Sequence, residues 1–177
     1  MLESDRAYNL TKRDADIAIR TTNNPPEHLV GRKIAQAAIS IYGSYNYLAA
    51  NSQINNLADH SWIGAEDSLA QALYSNKLQY KFPGVKFHYR VNTLVGILTA
   101  LNNDMGVGTL FCFMGDTELN LQRVHPPITE LAKDLWLLTH PDLRQVARIK
   151  IFIDFIANNL KPKTDLIEGK VCRDKLL

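Results

Sequence analysis

Lys12-Arg13-Asp14-Ala15-Asp16-Ile17-Ala18-Ile19-Arg20 runs into Thr21-Thr22-Asn23-Asn24-Pro25-Pro26, and the reading of this stretch decides the fold. Ala15, Ile17 and Ile19 alternate with Asp16, Ala18 and Arg20. That period of two, with β-branched residues and a Pro-Pro stop, predicts a short buried strand ending in a polar loop. In an α/β sheet the loops beyond the carboxyl ends of the strands form the crevice where ligands are met. Arg20, Thr21, Thr22 and Asn23 are therefore the first site candidates.

Working outward, Leu29–Tyr42 is a long extended region rich in Ile and Ala, the pattern of a segment that leaves one packing unit and enters another. Ser44 is placed to cap a short helix through Ala50, and 55–60 reads as a polar turn. Trp62 belongs to a short apolar strand ending at Gly64, and Asp67 or Ser68 can cap the helix that follows. In that helix Leu69, Ala72, Leu73 and Leu78 share a face, and Phe82-Pro83-Gly84 ends it. Val85, Phe87, Tyr89 and Val91 alternate with Lys86, His88 and Arg90, a strand signal. Asn92 opens a helix with Leu94, Ile97, Leu98 and Leu101 at helical spacing, and Gly106 is expected to supply its left-handed stop. A buried strand over 106–113 is expected next. Leu135–Leu138 is an apolar run too short to assign by period. From Leu143, the residues Val146, Ile149, Ile153, Ile156 and Leu160 mark the stripe of a last helix, ended by Pro162.

Strands alternating with helices give an α/β class. Two long connections, near 33–40 and 131–140, flank a central βαβα block and suggest two lobes with a hinge.

Four stretches carry a family resemblance in order: KRDADIAIRTTNNPPEHLVGR (Lys12 to Arg32), SIYGSYNYLA (Ser40 to Ala49), VNTLVGILTALNNDMGVGTLFCFM (Val91 to Met114) and DLWLLTHPDLRQVARIKIFIDFI (Asp134 to Ile156). The chain resembles the effector-binding domain of LysR-type transcriptional regulators. The resemblance implies a type 2 periplasmic-binding-protein-like fold, two lobes joined by crossover hinge strands. Lobe I is expected from 1–38 and 136–162, incomplete; lobe II from 39–135; and 163–177 as a flexible tail. It further implies a small-molecule effector in the interlobe cleft. A full member carries a winged helix-turn-helix ahead of this domain, and none is present in the sequence as read. This chain alone is therefore expected not to bind operator DNA, and a homo-oligomer would form with part of the usual dimer interface missing.

Among the cleft candidates, the helix start at Asn92-Thr93 follows a strand directly. Its free N–H groups and positive dipole end suit an anion, while helix capping alone would also explain a polar residue there. Family resemblance favours contact. Arg20 has the planar fork to hold an acid effector, or to pair with a nearby carboxylate. Gly64 and Ala65, at the equivalent edge of the other lobe, are small enough to let a ligand reach the backbone.

Composition excludes several classes. An apolar share of 46%, 21% charged residues and a formal net charge of +2 are ordinary for a globular protein and write no nucleic-acid contact into the charge. Cys112 and Cys172 make no disulfide framework, so a reduced, cytoplasmic setting is expected. No stretch has the length of a membrane span, the N-terminus lacks the h-region of a secretory signal, and no membrane partner is expected. The five histidines lack metal-ligand spacing, so no metal and no cofactor are expected. No GxSxG elbow is present, Cys112 lies in an apolar run, and no catalytic residue is assigned. The rival functions are a solute-binding protein and an enzyme on the same two-lobed scaffold.

Overall fold

The computed structural model describes residues 15–74 and 76–171. Two sheets organise it. The smaller sheet has the order β1-β8-β2, formed by β1 (Ile17–Thr21), β2 (Val30–Ala37) and β8 (Lys133–Thr139). Both pairings are antiparallel: Ile19 lies opposite Leu137 on one side of β8, and Val30 opposite Thr139 on the other. A bulge between Lys33 and Ala35 shifts the second register. The larger sheet has the order β5-β4-β6-β3-β7, from β3 (Ile39–Ser44), β4 (Trp62–Ala65), β5 (Phe87–Val91), β6 (Val107–Phe111) and β7 (Leu121–Arg123). Here β4 runs parallel to β5 and β6, while β3 is antiparallel to β6 and β7.

The chain passes from the small sheet to the large one at Ala38 and returns after β7, entering β8 at Lys133, ahead of the boundary expected at 136. The long Ile- and Ala-rich region is thus two strands in two sheets. Ile39, Ile41, Tyr42, Trp62, Ile63, Ile97, Leu101, Val107 and Leu110 are all fully buried, so the main core belongs to the large sheet. Leu137 and Leu138, on opposite faces of the central strand β8, are also buried, so the smaller sheet is covered on both faces there.

The helices are α1 (Tyr45–Ala50), α2 (Asp67–Leu73), α3 (Lys77–Lys81), α4 (Leu94–Asn102), α5 (Cys112–Gly115), α6 (Ala147–Leu160) and α7 (Thr164–Ile167). Ser44 caps α1 as expected, its hydroxyl accepting from the Tyr47 N–H at 3.1 Å. Other expectations are corrected. Neither Asp67 nor Ser68 caps α2; Glu66 occupies that position and makes no side-chain cap. The single helix read from Leu69 to Leu78 is two, α2 and α3, and Ala72 is exposed while Leu69, Leu73 and Leu78 are buried.

The left-handed residue after α4 is Asp104 at φ 60°, not Gly106. An aspartate tolerates that conformation, and here Ser44 Oγ donates to its carboxylate at 2.5 Å. Gly106 is required for closeness instead: a Cβ there would sit 2.1 Å from the Ser61 carbonyl oxygen. The strand expected over 106–113 stops at Phe111 and turns into α5. On α6 the expected stripe buries only Ile149 fully, and Ile151, Phe152 and Phe155 are exposed on the flank.

The tail expected to be flexible from 163 is folded as far as it is described. Ile167 is buried and accepts the Ala38 N–H at 3.0 Å, and Gly169 packs against Cys112, Ala38 and Pro127. The expectations for Asp14, Cys172 and 172–177 lie outside the described residues.

Candidate functional site

β1 ends at the edge of the small sheet because its loop is tied to the start of β8. The Thr22 N–H donates to the Asp134 carbonyl at 2.8 Å. The Asn23 side chain makes the same tie twice, its amide donating to the Ala132 carbonyl at 3.0 Å and its carbonyl accepting from the Asp134 N–H at 2.9 Å. Asn23 is therefore a clasp across 109 residues of sequence. The Thr22 hydroxyl accepts from the Asn24 N–H at 3.1 Å, which leaves its own proton to donate. Arg20 lies opposite Trp136, which lies opposite Lys33, so these three share one face of the sheet and Thr21 points to the other. The Trp136 indole nitrogen is buried with no acceptor among the described residues. Sequence reading passed over this donor because an apolar run gives no sign of where its one polar atom ends up.

On the large sheet the candidates lie at the carboxyl ends of the parallel pair β4 and β5. Gly64 and Ala65 are buried. A Cβ on Gly64 would meet the Phe87 ring at 2.5 Å, so its smallness serves strand packing. The Ala65 N–H donates to the Tyr74 hydroxyl at 2.7 Å, and the Ala65 carbonyl accepts from Arg90 at 3.3 Å. Those backbone groups have internal partners in place of the open approach expected from the sequence. Burial raises the Tyr74 hydroxyl above its ordinary pKa, opposed by the Ala65 hydrogen bond and the Arg90 charge.

The cap of α4 is Thr93, not Asn92: the Thr93 hydroxyl accepts from the Gly96 N–H at 2.9 Å. Asn92 stands one residue outside the helix, exposed, with its amide committed to no described neighbour. The N–H groups of Leu94 and Val95 precede the first helical bond, so this end of α4 offers donors and a positive dipole end beside Asn92.

One polar constellation was not legible from sequence. Beneath the crossover, Tyr42 donates to Asp116 Oδ1 at 2.8 Å, and Arg123 Nε donates to the same oxygen at 2.8 Å. Arg123 Nη2 pairs with the second carboxylate oxygen and Nη1 donates to the Gly169 carbonyl at 2.9 Å. Burial, with Cys112 and Asp116 adding, pushes the Tyr42 hydroxyl far above its usual range. Burial opposes the Arg123 charge, but the Asp116 carboxylate outweighs it and holds the guanidinium protonated. All members are satisfied by one another, which suits a structural lock joining β3, β7 and the C-terminal segment. Lys133, at the start of β8, is half-buried, and burial followed by the nearby Lys77 charge lowers its pKa.

Among the described residues no helix is long and apolar enough to cross a membrane. Two sheets joined by paired crossovers, with a capped helix start at the end of a parallel strand pair, form the architecture onto which the comparisons fall. The model of the LysR substrate binding domain matches residues 2–161. The chain belongs to the LysR substrate-binding domain family. The probable HTH-type transcriptional regulator LtrA of Klebsiella pneumoniae is 25% identical over 167 residues, covering 88% of this chain and 54% of that protein. The chain thus spans about half the length of this relative.

Solved LysR-type structures share the fold. The regulatory domain of CrgA from Neisseria meningitidis superposes with a TM-score of 0.73 at 19% identity, covering 89% of this chain and 81% of that one. The CcmR regulatory domain of Synechocystis PCC6803, solved in complex with 2-PG, gives 0.64 at 17% identity, covering 88% and 76%. This is a LysR-type effector-binding domain of α/β class with the two-lobed, periplasmic-binding-protein-like fold.

Proposed function

We propose that this domain senses a small-molecule effector held in the groove between the small and large sheets. Arg20, Thr21, Thr22 and Asn23 would line one wall, and Asn92 and Thr93 the other, with Gly64 and Ala65 shaping the floor behind them. The observation that carries the reading is the start of α4 at the carboxyl end of β5, where the Leu94 and Val95 N–H groups lie ahead of the first helical bond beside exposed Asn92. Donors without acceptors at such a place suit a carboxylate or another small anion. The CcmR regulatory domain, which shares the fold, is a relative solved with 2-PG.

The chemistry is recognition without bond making. An effector that fits one lobe angle better than another shifts the population toward it by its differential affinity. In a longer chain that shift would pass to a DNA-binding module in the cytoplasm.

A thermal-shift screen against carboxylic acids, aromatic acids and amino acids tests the reading, since a ligand of the native state alone raises the melting temperature. A hit should lose its shift in Thr22→Ala and in Asn92→Ala. A library that leaves the melting temperature unmoved, or a hit indifferent to both changes, removes the sensing site from this groove.

A further inference from the structure

We propose that the small sheet carries a second anion-binding site, separate from the groove between the lobes. It lies where the start of β2, the end of β8 and the first turns of α6 border an open depression of about 310 Å³, with Arg32, Arg144, Lys150 and Asp154 exposed around it. Three cationic side chains, Arg32, Arg144 and Lys150, line it against a single carboxylate, Asp154. Among the described residues none of the three cations forms an ion pair; the carboxylates of Asp16, Asp134 and Asp142 are engaged by Arg148, Lys33 and His140.

Three like charges around one concavity repel each other and focus a positive potential into it, and an anion relieves that repulsion. Two of the cations are guanidinium groups, whose planar forks match a carboxylate or phosphate with paired hydrogen bonds. Val30 and Ile153 give the depression an apolar side. α6 adds to the field: it runs for 14 residues and starts without a side-chain cap at Val146. The volume stands at the small end for a ligand cavity, so the occupant is a compact carboxylate or phosphate, not a large cofactor.

This place is distinct from the groove. Thr139, which lines the depression, is four residues along β8 from Leu135, the register partner of Thr21, which separates the two by roughly 13 Å.

The test titrates the 177-residue protein with inorganic phosphate, then citrate, at constant ionic strength, followed by amide chemical shifts. Saturating shifts centred on Arg32, Gly31 and 144–150 are expected, weakened about tenfold by Arg32→Gln or Arg144→Gln and abolished by Lys150→Glu. Circular dichroism of each variant checks the fold, and Arg32→Lys, which keeps the charge and loses the fork, should weaken citrate more than phosphate. Thr22→Ala and Asn92→Ala should leave the response unchanged, so loss of the interlobe reading and loss of this site are distinguishable. Shifts that grow linearly with anion, that persist in Arg32→Gln and Arg144→Gln, or that appear at Asn92 instead overturn the proposal. So does saturation by duplex DNA with no response to phosphate or citrate.

Discussion

Asp116 is 5% exposed, and its carboxylate is divided between Tyr42 and Arg123. Burying that charge is tolerable only because the partners are in place, and removing one leaves the others unpaired in a poorly solvated setting. Asp116→Ala should therefore cost about 3–5 kcal/mol in urea unfolding, far more than truncation of an exposed carboxylate such as Asp142. His60 carries a pH dependence. It is 6% exposed, its Nδ1 lies 3.3 Å from the Tyr47 hydroxyl, and burial lowers its pKa below the ordinary 6.5, with Asp59 partly opposing. Between the folded value and 6.5 the unfolded chain holds the proton and the folded one does not. Stability should thus fall as pH drops below 6.5 and level off beneath the folded pKa. Denaturation midpoints across that range, compared with His60→Phe, read the effect; an unchanged slope in the variant assigns it elsewhere.

At the scale of elements, the start of α4 lets the structural role of Thr93 be tested apart from the binding role proposed for Asn92. Thr93 satisfies the Gly96 N–H, so Thr93→Ala should cost about 1 kcal/mol of stability. Asn92→Ala, exposed and outside the helix, should be close to neutral in denaturation while weakening an effector. Equal losses of stability from the two changes would assign Asn92 to the cap. Part of this was legible: a polar pair between a strand pattern and an apolar helical period marks a helix start. Which of the pair caps was not, because that depends on the φ and ψ of Thr93. The stop of α4 was misplaced for a similar reason. Glycine is the usual left-handed residue, yet Asp104 takes that conformation where Ser44 holds its carboxylate, and Gly106 is needed against the Ser61 carbonyl just ahead of β4.

Across the whole molecule, the C-terminal segment closes the crossover. Ala38, the residue between the two sheets, donates to Ile167, accepts from the Cys112 N–H, and lies beneath Gly169. Gly169 has φ +66°, and a Cβ there would meet Cys112 Sγ at 2.9 Å and Ala38 at 3.1 Å. Gly169→Ala should accordingly speed hydrogen exchange at the Ala38 N–H, with little change at Ile63 deep in the large sheet. Matching protection in the variant would show that the segment is not what holds the crossover. Because this contact joins the α7 end of the chain to the passage between sheets, it sits where any change of lobe angle must be felt.

The strand ending at Thr21, the two-sheet passage through Leu29–Tyr42 and the succession of β5 and α4 were legible in the sequence itself. They rest on local periodicity and on residues whose conformational preferences act within a few positions. Only the tertiary structure decided that Asn23 clasps Ala132 and Asp134, that Tyr42, Asp116 and Arg123 converge with Gly169, and that Ile167 and Gly169 pack against the crossover. These contacts join residues far apart in the chain, and their free energy depends on burial and on partners that no local pattern specifies.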